Sequence, residues 1–156
     1  MKKAIRMTHP NIRPAMLKDA RSMAENIRQQ DVLEIVALYG YNRSCTTLLE
    51  NSIRDSRDAY AYVVDGRVLA LAGCAYDFKR CGGVPWLICS DEFVDEHAKI
   101  ILKFAPLMVA RWLKRYGHLE NIVHADNTVA QRWLKHLGFD IQVQYGATSY
   151  RFVKDQ

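Results

Sequence analysis

Asp91, Glu92 and His124 stand where short strands are expected to end, and each could take a proton from a reacting group. An acid with a raised pKa in a cleft would be a working base; the plainer reading of Asp91 or Glu92 is an exposed strand-end or helix-cap carboxylate. His124 also reads as a satisfied structural histidine. Cys45, Cys74, Cys81 and Cys89 form no CxxC pair and have no histidine at zinc-ligand spacing, so no metal site is expected. They read as ordinary, mostly buried thiols. A cysteine nucleophile would need a neighbouring histidine that the sequence does not place, and no serine sits in a GxSxG turn. The Gly82-Gly83 pair is too short for a nucleotide fingerprint.

The elements that must position these groups can be read from periodicity. Residues 127 to 141, NTVAQRWLKHLGFDI, describe a short helix feeding a strand. Asn127 or Thr128 can cap its start, Ala130, Trp133, Leu134 and Leu137 form an apolar stripe, and Gly138 suits a left-handed exit. Upstream, Asn11 to Met16 reads as a strand and Leu17, Ala20, Met23, Ala24 and Ile27 as a helix face. Further helices are expected over Val32 to Tyr39 and over residues 43 to 57. Ala59 to Val64 and Arg67 to Ala75 are strands joined through Asp65 and Gly66, a pair suited to a tight hairpin. A turn at Cys81, Gly82 and Gly83 leads into a fourth strand, Val84 to Cys89. Ile101, Phe104, Ala105, Met108, Val109 and Trp112 trace a helix in which Pro106 predicts a kink or a restart. Asn121 to Ala125 is strand, and Asp140 to Tyr145 with Thr148 to Val153 closes as a hairpin. The order predicts an α+β or mixed α/β sheet covered by helices.

The chain has 156 residues, 49% of them hydrophobic, enough for one domain with a full core and without a linker, so residues 1-156 are expected to form a single unit. No apolar run approaches the ~20 residues of a membrane helix, and the polar start lacks a signal peptide's apolar centre. A soluble, non-secreted protein is expected. The net charge of +5 comes from scattered Lys and Arg with mild clusters at Lys2 to Arg6 and Lys99 to Arg115. Solvated helix faces explain them; contact with nucleic acid or an acidic partner is the alternative. Trp86, Trp112 and Trp133 are core candidates, while Tyr39, Tyr41 and Tyr76 near turns either pack on the sheet or touch a partner.

Asn127, Ala130, Leu137, Gly138 and Phe139 resemble the NxxAxxxYxxLGF segment of the GNAT N-acetyltransferase superfamily, and IRPAMLKDARSMAENI looks like its opening strand and helix. WLICSDEF, HADNT and RWLKHLGF look most like the GNAT-like internal virion protein family of short-tailed phages, over roughly residues 84 to 153. The resemblance implies a GNAT-like acyl-CoA N-acyltransferase fold, with a central, mostly antiparallel sheet splayed between its fourth and fifth strands and flanked by helices. It also implies a location in host cytoplasm or virion interior, and a virion or host protein as partner.

GNAT enzymes receive the acetyl-CoA pyrophosphate in a Q/RxxGxG/A loop, where backbone NH groups approach closely. On this chain that loop falls on VDEHAK, Val94 to Lys99. His97 and Lys99 replace glycines, and Asp95 and Glu96 bring negative charge toward a negative ligand. Leu134 stands where many members carry a proton-donating Tyr. The expectation is therefore a binding protein with a degenerate site and no cofactor. The alternative is an acetyltransferase in which His124 or Glu92 activates an amine. Acetyl-CoA would then lie on the fourth-strand backbone at Cys89 and near His97, Lys99 and Asn127, Lys99 gripping a phosphate.

Overall fold

The computed structural model describes residues 9–40 and 44–156. The Lys2 to Arg6 cluster and Tyr41 lie outside the described residues. Seven strands form one sheet: β1 (Ile12–Pro14), β2 (Ser56–Val64), β3 (Arg67–Asp77), β4 (Gly82–Cys89), β5 (His118–His124), β6 (Asp140–Gln142) and β7 (Ser149–Asp155), in the order β1-β2-β3-β4-β5-β7-β6. Every neighbouring pair is antiparallel except β4 and β5, which run parallel and share a single register pair, Gly83 with Leu119. Beyond that pair the two strands splay apart.

Alternation along the strands makes two apolar faces. Ala61, Leu71 and Val68 pack with Ala20, Met23, Leu49 and Ile53 from α1 (Leu17–Asn26) and α3 (Cys45–Asp55). On the opposite face Cys74 and Val123 pack with Met108, Val109 and Trp112 from α4 (Lys99–Tyr116). Two further helices, α2 (Gln29–Tyr39) and α5 (Thr128–His136), lie toward the open end of the splay. Asp19 ties α1 to β1: its buried carboxylate accepts the Met16 NH at 2.7 Å and both terminal nitrogens of Arg13. Burial works against its charge, but Arg13 and Met16 together hold its pKa below the ordinary value.

Most expected elements form, with the following corrections. Only Cys81 of the expected turn lies outside β4; Gly82 and Gly83 are strand residues. A Cβ at Gly83 would sit 2.7 Å from Cys74 Sγ and from side-chain carbons of Leu119 and Tyr116, so these glycines permit tight packing at the β4–β5 junction. Helix α4 runs through Pro106 without restarting. Pro106 and Leu102, whose carbonyl loses its NH partner, are both exposed, so water can satisfy that carbonyl. Of the four thiols only Cys74 and Cys89 are buried, while Cys45 is half-buried and Cys81 exposed. The final hairpin is shorter on its first strand, β6 ending at Gln142. Trp112 is buried; Trp86 and Trp133 are half-buried.

At the closed end of the sheet His118 joins β5 to β7. Its Nδ1 lies 2.6 Å from Asp155 and its Nε2 3.0 Å from Glu120, which also accepts from Arg151 at 2.7 Å. Bonds to Asp155 and Glu120 raise the His118 pKa, and Arg151 pulls Glu120 down to about 2. The Glu120 contribution is present above its ordinary 4.5 and is lost as pH falls toward about 2. The His118 contribution is fully present below its ordinary 6.5 and is lost as pH rises through its raised folded value. Thermal melts from mildly acid to alkaline pH should show the parent losing more Tm with rising pH than His118→Gln. Parallel curves would mean that His118 protonation adds nothing.

Candidate functional site

A cavity of about 260 Å³ occupies the splay and runs through it from one sheet face to the other. Its walls are mostly apolar: Leu87 and Ile88 from β4, Ile122 and Val123 from β5, Met108 and Trp112 from α4. The register explains its polar rim. Ser90 NH donates to Leu69 O, so alternation turns Pro85, Leu87 and Cys89 away from β3 and toward the gap. The groups that a neighbouring strand would have satisfied need other partners.

Those partners come from Asn121 at the base and from α2 at the mouth. Asn121 donates to Pro85 O at 2.9 Å and accepts the Ile122 NH at 2.8 Å, bridging the two strand edges. At the mouth, Asp31 accepts the Cys89 NH at 3.1 Å, and the Arg28 NH donates to Cys89 O at 2.9 Å. Glu34 accepts the His124 NH at 2.8 Å and the Asn127 side-chain amide at 3.0 Å. Arg28 completes the clamp, donating to Asp31 at 3.0 Å and to the Asn127 side-chain oxygen at 3.2 Å. That oxygen also accepts the Ala130 NH at 3.2 Å, so Asn127 caps α5 as well. Leu87 lies between base and mouth with its main-chain groups facing the cavity.

Charge in the clamp is buried. Arg28 is 8% exposed and Asp31 3%. Burial opposes the Arg28 charge, yet Asp31 outweighs it and keeps the guanidinium above its ordinary pKa. Burial, reinforced by Asp31, pushes the Cys89 thiol far up, and burial pushes Cys74 up to about 12. Neither is a thiolate at neutral pH, so neither is prepared for nucleophilic attack.

Cys89 and Asn127 meet at the cavity, joined through Arg28 and Asp31. His124 adjoins them through Glu34, and its Nδ1 accepts the Asp126 NH at 3.1 Å. Glu92, His97 and Lys99 lie apart from the cavity walls. Both Glu92 oxygens bind Arg67, at 2.5 and 2.8 Å, and that bond lowers its pKa and weakens it as a base. Asp91 is exposed. His97 Nδ1 pairs with the Tyr62 hydroxyl at 3.0 Å, while Lys99 is exposed at the start of α4. Glu92, Glu96 and His97 bring ligand-type atoms within 4.8 Å of one another, but Arg67 already supplies the positive charge that a cation would bring.

The segment expected to cradle phosphate is wound tight. Chain direction changes at Ser90, whose hydroxyl accepts the Phe93 NH at 3.2 Å and whose carbonyl accepts the Val94 NH at 3.3 Å. Phe93–His97 then forms a π-helical turn that runs into α4. Phe93 anchors it, 2% exposed and edge-on to Tyr62 at 5.3 Å. Leu134 lines the cavity from α5 at the position read as lacking a phenol.

The Arg28, Asp31, Glu34 constellation escaped the sequence reading. Its signal was there: charged residues at three-residue steps on one side of an otherwise apolar helix, where a solvated face would show a broader polar stripe.

No protein-family model matches the chain, and no curated protein matches it. Solved structures do match. A PaiA N-acetyltransferase from Thermoplasma acidophilum, in complex with coenzyme A, is 15% identical with a TM-score of 0.63, covering 93% of this chain and 98% of that one. The ribosomal-protein-S18-alanine N-acetyltransferase of Escherichia coli is 15% identical with a TM-score of 0.61, covering 92% of each chain. A GNAT-superfamily phosphinothricin acetyltransferase from Sinorhizobium meliloti, in complex with acetyl-CoA, is 11% identical with a TM-score of 0.63, covering 92% of this chain and 86% of that one. At such identities the likeness speaks for architecture alone. With its seven-stranded, mostly antiparallel sheet opening between β4 and β5, the chain has the GNAT acyltransferase fold.

Proposed function

We propose that this GNAT-fold chain acts as a binding protein with a virion or host protein as its partner, and does not use acetyl-CoA. The observation that carries the reading is at Cys89. Both of its main-chain groups, which point into the gap where an extended amide chain would lie, are taken by the protein's own Asp31 and Arg28. An incoming ligand would have to break a buried, charge-assisted contact before gaining any bond of its own. The phosphate segment adds to this: Ser90 uses the amides of Phe93 and Val94, and the exposed Asp91, Asp95 and Glu96 repel polyphosphate. The partner's nature rests on the resemblance to the phage family.

One observation favours a second reading, an N-acetyltransferase acting on an amine with His124 or Glu92 as base. The splay holds an apolar cavity with Leu87 main-chain groups turned into it, and fold neighbours include complexes with coenzyme A and acetyl-CoA. Calorimetric titration separates the two. Acetyl-CoA should give no saturable heat even at millimolar ligand; micromolar binding would reject the first reading in favour of the second.

A further inference from the structure

The turn between β3 and β4 raises an aromatic side chain into solvent at the closed end of the sheet. Phe78 is 85% exposed, and burial nowhere explains its presence. Its ring meets Tyr76 edge-on at 4.9 Å, and Tyr76 lies 5.5 Å from Tyr116 at the end of α4, tilted by 31°. Three rings thus run outward from the sheet in a row whose last member has open faces. The tip is braced: Asp77 Oδ1 accepts the Lys79 NH at 2.8 Å and the Arg80 NH at 3.4 Å. Lys79 and Arg80 are exposed beside Phe78, and the Arg115 guanidinium stands 5.8 Å from the Tyr116 ring centre.

We propose that this end of the sheet binds single-stranded nucleic acid, with a base stacking on Phe78 and the backbone following Lys79, Arg80 and Arg115. The core of a protein interface is depleted in charged residues, lysine among them. Here Lys79, Arg80 and Arg115 stand against Asp77 and Asp58, leaving a net positive charge beside the ring, which suits a polyanion carrying flat, stackable groups. Asp77 and Asp58 offset part of the charge through Arg80 and Arg115, while Lys79 forms no salt bridge among the described residues. The chain's net charge of +5 favours the approach of a polyanion. This surface lies at the opposite end of β4 from the clamp at Cys89, so its occupancy is independent of the cavity.

The test is fluorescence anisotropy of a labelled short oligothymidylate titrated with the full chain. Saturable binding is expected in low salt, weakening steadily as salt rises. Phe78→Ala should weaken it about tenfold and Phe78→Trp should retain it, because stacking needs only a ring. The paired change Lys79→Gln with Arg80→Gln should flatten the salt dependence. Phe78 makes no buried contact, so circular dichroism should show each variant folded. Flat anisotropy, or a Phe78→Ala curve that overlays the parent, overturns the proposal. So does duplex bound as tightly as single strand with no dependence on Phe78, which would leave only an unspecific cationic face.

Discussion

Alanine at position 31 is expected to lower the free energy of unfolding by about 3–5 kcal/mol, the range for stripping the partner from a buried ion pair. Asp31 is 3% exposed and serves two elements at once: one oxygen holds the Arg28 guanidinium and the other the Cys89 NH. Truncation leaves a buried cation whose remaining side-chain hydrogen-bond partner among the described residues is the Asn127 amide oxygen, and an amide NH facing an apolar cavity. Asp31→Asn keeps an acceptor for one of the two and should lose less. Urea denaturation measures both, with the midpoint shifting and the slope preserved if the folded state stays compact. A loss below about 1 kcal/mol would place the contact among surface ion pairs and remove the clamp as a barrier to ligands. The variant also separates two obstacles. If the wound phosphate segment blocks acetyl-CoA by itself, Asp31→Ala should remain as silent in calorimetry as the parent.

Phe93→Ala is expected to cost about 3–5 kcal/mol, as for other fully buried aromatics. Its ring is 2% exposed, sits edge-on to Tyr62, and belongs to a cluster with Leu69, Ala70, Cys89 and Ile101. The loss should have a local signature, because Phe93 is the buried anchor of the turn from Phe93 to His97. Hydrogen exchange at those amides should accelerate by more than the global loss alone brings to β2 and β3. Uniform acceleration would mean that the ring supports the whole core and not the turn. Phe93→Leu should recover much of the stability.

Where local chemistry decides structure, the sequence was readable. Asp65 and Gly66 make the hairpin turn with φ of 49° and 76°, the left-handed pair expected of a tight connection. Asn127 caps α5, and Gly138 leaves it at φ 84°. Gly82 and Gly83 were misread because turn-forming and tight-packing glycines look alike until Tyr116 and Leu119 are placed beside them. The restart expected at Pro106 does not occur, because a proline's cost depends on which side of α4 the orphaned carbonyl faces. The site was less legible than the fold. Cys89 and Asn127 do share the cavity rim, but what joins them is Arg28, 99 positions from Asn127 along the chain. No local pattern announces a contact of that span. Glu92 looked available until Arg67, 25 positions earlier, took both its oxygens.

The lone rung between Gly83 and Leu119 has a mechanical consequence. It divides the sheet into a four-strand leaf and a three-strand leaf, each laced internally by ladders of several rungs. Across the seam that rung, the Asn121 bridge, the α2 clamp and apolar packing against α4 resist separation. The seam is therefore where the sheet is expected to yield on heating, the two leaves opening like a book along β4 and β5, which faster hydrogen exchange at the facing edges of those strands would report.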